Sequence, residues 1–378
     1  MNKININNLI YSIALFLFVG SNLLCNVKYL MPYLLYFKLF AYVLFLINGT
    51  ILLLKSTKIK FKTLLMIFLS LFIGGTTYCI TKNSLLLDLF FVLYASVKNN
   101  FYNILKIDLL VKIIITIIIL MSYINGQTIS RFLVTRDNEY IRSSFGFYHP
   151  NTFGMYIMMI YFEFVVLSKK IKFKNILVGI ITIFIIYFTS NSRTAYFTIT
   201  IFLIFYLMLW LASLKGRKLK FYNFKLNNYL FPILTILSLI FTKLYDLNLP
   251  IALKLDEFLS RRLYLQSINM KQFPITILGN NITFIRTLDN GFLKVLLNYG
   301  IVSTMIYLVI FYINFKSLKE DENNILTVII FSLLYYTLSE SNMLYIYLNI
   351  FLLYFFCKRN ESKLWYQLLF QFIIQKNI

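Results

Sequence analysis

Apolar runs close to the length of a bilayer crossing recur from about residue 9 to about residue 357. Backbone buried in lipid must satisfy its own hydrogen bonds, so such runs can only become helices or the strands of a closed barrel. Barrel strands alternate over about ten residues, whereas these runs are continuous, which selects helices. Helices are expected at about 9–26, 31–54, 63–81, 84–98, 107–125, 150–168, 175–191, 194–213, 228–247, 291–314, 325–339 and 342–357. A soluble domain of 378 residues would not leave so little polar surface as a 60% hydrophobic, 13% charged composition allows. The first run follows a lone Lys3 and has no small-residue cleavage site, so it reads as a retained helix. No internal repeat, low-complexity tract or separate soluble domain interrupts the pattern. The expected fold is all-α, a single polytopic transmembrane domain over residues 1–378 with about twelve helices.

The formal charge of +23 raises the question of nucleic acid, but its distribution answers otherwise. Lysines cluster between apolar runs: Lys55, Lys58, Lys60 and Lys62; Lys169, Lys170, Lys172 and Lys174; Lys215, Lys218, Lys220 and Lys225; Lys316 and Lys319; Lys358 and Lys363. With twelve helices all five clusters fall on one side, which the positive-inside effect makes the cytoplasm. The expectation is a multi-pass protein of the cytoplasmic membrane, both termini inside, with a basic tail over 358–378 and no nucleic-acid partner. Two long outer connections then remain, about 126–149 and about 248–290, the second with an amphipathic stretch around Leu255–Phe273. Cys25, Cys79 and Cys357 are odd in number and scattered, which argues against a disulfide framework or a metal site.

Arginine departs from the lysine pattern. Of nine, only Arg217 and Arg359 lie in the inner clusters, while Arg131, Arg136, Arg142, Arg193, Arg261, Arg262 and Arg286 map to the outer face. Topology pushes basic residues inward, so another demand must hold these outside. A guanidinium grips phosphate oxygens with a planar fork and can neutralise a phosphate leaving group. The bland alternative pairs them with lipid headgroups, or with Asp137, Glu139, Asp256 and Glu257.

Three outer segments carry a resemblance. They are Arg142-Ser-Ser-Phe-Gly146-Phe-Tyr-His149-Pro150-Asn151-Thr-Phe-Gly154; Ser190-Asn191-Ser192-Arg193-Thr194-Ala195; and Asp289-Asn290-Gly-Phe-Leu293, continuing to Asn298-Tyr299-Gly300. In order, spacing and side of the membrane they resemble the bacterial O-antigen ligase and O-antigen or capsule polymerase (Wzy) family, over roughly residues 107–357. The resemblance implies a glycosyltransferase of GT-C-like architecture with a large extracytoplasmic loop. Its donor would be an undecaprenyl-diphosphate-linked oligosaccharide, in a bilayer shared with membrane lipid and with a flippase and a chain-length regulator as partners. An acceptor hydroxyl would attack the anomeric carbon and the lipid diphosphate would leave. By the same resemblance, Arg193 contacts the diphosphate, Arg142 contributes, and Arg286, Arg261 and Arg262 compete for the arginine of the large loop, with Arg286 favoured because it is nearest the third motif. Where the ligase motif begins with His, this chain has Asp289-Asn290, which favours polymerisation over transfer of finished glycan.

His149, Asp289 and Glu340 are the candidates to draw the proton from the acceptor hydroxyl. His149 could equally be a polar residue at a helix start, and Asp289 could cap a helix or pair with Arg286. Gly146, Pro150, Asn151, Gly154, Asn290 and Gly300 read as turn and packing residues. Glu163 lies mid-helix, where a carboxylate is costly, and is expected to reach Lys169; Asp88 and Asp108, near helix ends, are expected to be solvated. Tyr148, Tyr264 and Tyr299 could stack on sugar rings. No outer cluster has metal-ligand spacing, so neither metal nor cofactor is expected. A transporter or flippase of lipid-linked sugars is the competing class; it would bring paired repeats and helices broken at mid-membrane.

Overall fold

The computed structural model describes residues 6–54, 61–96, 99–128, 132–134, 141–259, 261–282 and 288–358. Helices dominate: α1 (Ile6–Leu23), α2 (Leu34–Leu54), α3 (Phe61–Thr81), α4 (Leu85–Ser96), α5 (Phe101–Ile124), α6 (Pro150–Leu167), α7 (Phe173–Thr189) and α8 (Arg193–Leu214). They continue as α9 (Leu230–Asp246), α10 (Pro250–Phe258), α11 (Arg262–Gln272), α12 (Gly291–Lys294), α13 (Gly300–Glu320), α14 (Asn324–Ser339) and α15 (Tyr354–Lys358). Among the described residues, six stretches are long and apolar enough to cross a membrane: Ile6–Asn26, Met31–Leu54, Pro150–Leu167, Arg193–Leu214, Lys225–Asp246 and Gly291–Glu320. Large apolar side chains stand exposed along them and their neighbours, such as Phe68 and Phe72 on α3 and Phe184 and Phe188 on α7. Contiguous exposed apolar faces of this kind belong against lipid, and the chain is an all-α membrane protein.

Polar caps set several helix starts. Asn100 accepts from the amides of Tyr102 and Asn103 at the head of α5. Asn323 accepts from Leu326 at the head of α14. Pro150 and Pro250 occupy first-turn positions of α6 and α10, where a missing N–H costs nothing.

The structure corrects the expected chain path in one place and adds detail inside the two long connections. The run at 342–357 is not one helix: short 3₁₀ turns at Ser341–Leu344 and Ile350–Leu353 flank non-helical residues and lead into α15. The 248–290 connection holds two helices, α10 and α11, broken at Arg261, which takes a left-handed φ of 63°. Within 126–149, β1 (Phe132–Val134) pairs antiparallel with β2 (Ile141–Ser143).

Contacts divide the chain into two units. The first comprises Met1–Phe61, Phe91–Leu219 and Tyr347–Lys363; the second comprises Lys62–Phe90, Lys220–Ile346 and Leu364–Ile378. In the first, α1 packs along α2 through Phe18 and Phe45, whose rings meet edge to face at 5.7 Å, and α5 lies on α1 and α6. In the second, α9 packs on α11, α12 and α13, with Phe231 stacked on Phe311 at 5.1 Å. A π-helical turn over Val295–Tyr299 there precedes Gly300. Gly300 has a φ of 82° and Gly279 a φ of 99°; a Cβ on Gly300 would sit 2.5 Å from Gly279 N, and one on Gly279 2.2 Å from Asn298 O. Two backbones touch here, bridged by Ile301 N to Thr276 O and Asn280 N to Asn298 O, so neither glycine can carry a side chain.

Candidate functional site

The candidate residues gather in two polar corners, one in each unit. In the second unit Arg262 opens α11 and donates from Nη2 to Glu340 Oε1 at 2.9 Å; its Nε lies 3.7 Å from Asp289 Oδ2. Glu340 ends α14 and donates its backbone N–H to Tyr336 O. Three expected site residues, 78 positions apart in chain at the widest, therefore meet. Asn290, not Asp289, caps α12: its Oδ1 accepts from Leu293 N at 3.1 Å and its amide donates to Ser238 Oγ at 3.0 Å. A Cβ on Gly291 would meet Thr337 Cγ2 at 2.5 Å, and this close approach brings the Asp289 end of α12 beside the Glu340 end of α14. Burial pushes the Asp289 carboxyl above its ordinary value, a rise that Arg262 and Lys294 only partly offset.

Lys294, Ser341 and Tyr336 join this corner and were not singled out in the sequence. Lys294 donates to Ser341 Oγ at 2.9 Å and stands 5.7 Å from the Tyr345 ring centre. The Tyr336 hydroxyl is buried, has no hydrogen-bond partner among the described residues, and faces the charges of Glu340, Arg262 and Asp289. A lysine five residues after Asp289, at the end of the short helix α12, was the available signal for Lys294. The neighbouring Arg261 points to solvent, and Asp256 serves as a cap for α11, accepting from Leu263 N and Tyr264 N, and pairs with no arginine among the described residues. Arg286, Arg131 and Arg136 lie outside the described residues.

In the first unit Arg142, on β2, donates through Nε to Ser190 O at 2.8 Å and through Nη2 to Asn151 Oδ1 at 2.5 Å. One guanidinium thus ties the first motif to the second. Gly154 makes this possible, because a Cβ there would sit 2.5 Å from Ser192 Cβ. Gly146, with a φ of 85°, turns the chain between β2 and α6 beneath Ile119. His149 caps α6, its Nδ1 accepting from Asn151 N at 3.1 Å. A neutral imidazole accepting at Nδ1 carries its proton on Nε2, so it presents a donor and not a base at that nitrogen. Arg193 begins α8 exposed, with no carboxylate partner among the described residues. Beside it the Ser192 hydroxyl is buried and unpartnered among those residues.

Of the proposed stacking tyrosines, Tyr148 and Tyr264 are exposed, but Tyr299 is packed inside and cannot meet a sugar. Three carboxylates are not where the sequence placed them. Asp108 and Asp88 are buried, Asp88 accepting from Ser84 Oγ. Glu163 pairs with Lys112, while Lys169 lies over the Tyr102 ring. Lys112 also takes Asp108, one turn back on α5.

No protein-family model, curated protein or solved structure matches the chain.

Proposed function

We propose that the chain is a polysaccharide polymerase of the outer leaflet: a multi-pass glycosyltransferase, with about twelve spanning segments and GT-C-like architecture, that joins undecaprenyl-diphosphate-linked repeat units. The observation that carries this reading is the second-unit corner, where Arg262 stands between Asp289 and Glu340, with Lys294 five residues after Asp289. Inverting glycosyl transfer needs a base for the acceptor hydroxyl and positive charge for the departing diphosphate, and both are present. Asp289 is the better base: its carboxyl is raised above its ordinary value and partly exposed, whereas Glu340 is buried and held by Arg262 at 2.9 Å. Arg262 and Lys294 are the cations beside it. In the first unit Arg193 stands exposed without a carboxylate partner among the described residues, a charge balance that suits a phosphate. His149 is assigned as a donor to sugar or phosphate.

A transporter of lipid-linked sugars is the second reading. The interruption of the apolar run after Ser339 and the ion cluster at Lys112 favour it, since transporters use broken helices and intramembrane charge. Purified protein mixed with lipid-diphosphate-linked repeat units separates the readings. A ladder of rising repeat number supports the polymerase. One transfer of finished glycan to another acceptor supports the ligase. Movement of the lipid-linked unit across vesicle membranes without any new glycosidic bond supports the transporter and sinks the proposal.

A further inference from the structure

We propose that Asp108, Lys112 and Glu163 form a proton-binding site inside the first unit, a cluster that holds one exchangeable proton. The side chains of Lys112 and Glu163 are 0% exposed and that of Asp108 is 1% exposed. An ammonium has three N–H donors, and Lys112 uses all of them. They go to Asp108 Oδ2 at 2.5 Å, to Glu163 Oε1, and to the backbone oxygen of Leu348 at 3.2 Å. One cation against two carboxylates leaves a net negative charge, and no other cation pairs with either carboxylate among the described residues. An isolated charge is among the costliest things to bury, and a group so placed neutralises instead.

The unused oxygens locate the proton. Asp108 Oδ1 and Glu163 Oε2 are buried and have no hydrogen-bond partner among the described residues. Both side chains end at the one Lys112 ammonium. A proton on either unused oxygen removes the excess negative charge. The other groups facing the pair are neutral: Tyr156 from α6, Tyr11 from α1, and beyond Tyr11 the thiol of Cys357 on α15. On the far side of α6, the hydroxyls of Tyr161 and Tyr206 are taken up at Asn175.

Lys112 is also the clasp on the 345–349 segment, through Leu348 O. Loss of the proton leaves an uncompensated charge at that clasp. The folded protein therefore holds one proton more than the unfolded chain at neutral pH, and its stability falls as pH rises. This site is independent of the glycosyl-transfer reading, because it shares no residue with either polar corner.

Infrared difference spectroscopy on the full chain in lipid nanodiscs tests it. The wild type is expected to show, at neutral pH, the C=O band of a protonated carboxylic acid that shifts in D2O and disappears on alkalinisation. Glu163→Gln and Asp108→Asn are each expected to abolish that band, since each leaves a single carboxylate paired with Lys112. Both should also flatten the alkaline fall of the melting midpoint. Absence of the band in the wild type, or its survival in both variants, overturns the proposal. So does a melting midpoint that follows sodium concentration and not pH, which would mean a metal cation in place of the proton. The wild-type spectrum decides even if a variant fails to fold.

Discussion

Two clusters in this molecule share one charge pattern, a cation between two carboxylates, and differ in what surrounds them. Lys112 with Asp108 and Glu163 has side chains 0%, 1% and 0% exposed; Arg262 with Asp289 and Glu340 has 18%, 32% and 7%. In the sealed cluster every donor of the cation is used within the protein and the mismatch in charge must be met by a proton. In the half-open cluster a second cation, Lys294, stands nearby, and the Asp289 side chain keeps 32% of its surface exposed. Burial turns the same pattern of charges into a sealed clasp in one unit and a partly exposed corner in the other.

The sharpest break between them is Lys112→Met. It strands two carboxylates without a cation, and loss of one partner of a buried ion pair costs about 3–5 kcal/mol. A large fall in the melting midpoint is expected, with little folded protein recovered. An unchanged midpoint would mean that the cluster is wet. Arg262→Ala should do the opposite: turnover lower by about 10²–10³, the usual cost of one group that stabilises developing charge, with the fold intact. If the melting midpoint falls as far as for Lys112→Met while turnover of the remaining folded protein is normal, Arg262 is a clasp too.

The two carboxylates of the open corner can be told apart by pH. A base must be deprotonated, so kcat/KM should fall as pH drops through the titration of Asp289, which burial places above the ordinary carboxylate range. Asp289→Asn should remove that limb and lower the rate by about 10²–10⁴. Retention of the limb in Asp289→Asn, and its loss in Glu340→Gln, would transfer the role to Glu340. A smaller effect is expected at Gly154→Ala, where the new methyl meets Ser192 Cβ at 2.5 Å. Overpacking of this kind costs about 1–3 kcal/mol and would loosen the Arg142 fork.

The sequence exposes the first eleven apolar runs because length and hydropathy are local properties. It does not expose the break after Ser339: residues 342–357 are as apolar as their neighbours and contain neither Pro nor Gly. Asp108 and Lys112 are one helical turn apart, a spacing that announces the pair, although hydropathy alone puts Asp108 near a helix end. Their partnership with Glu163, 51 residues on, has no local sign. The same holds for Arg262 and Glu340, which only tertiary packing joins. The motifs contain Arg142, Asn151 and Ser190, but nothing in their spacing indicates that one guanidinium holds the other two.

The smallest expected effect is at Arg261, and it tests the corner most finely. Arg261 and Arg262 are adjacent and chemically identical, yet the chain reverses its backbone at Arg261, which sits at a φ of 63° and points to solvent. A left-handed non-glycine residue costs about 1–2 kcal/mol. Arg261→Gly relieves that strain but enlarges the freedom of the unfolded chain, so the two terms largely cancel and the melting midpoint should hardly move. Turnover should also be close to wild type, because no carboxylate of the corner is paired with Arg261. If Arg261→Gly instead costs as much turnover as Arg262→Ala, the diphosphate lies on the solvent side of α11, and the ion pair to Glu340 is scaffolding for a neighbour that does the binding.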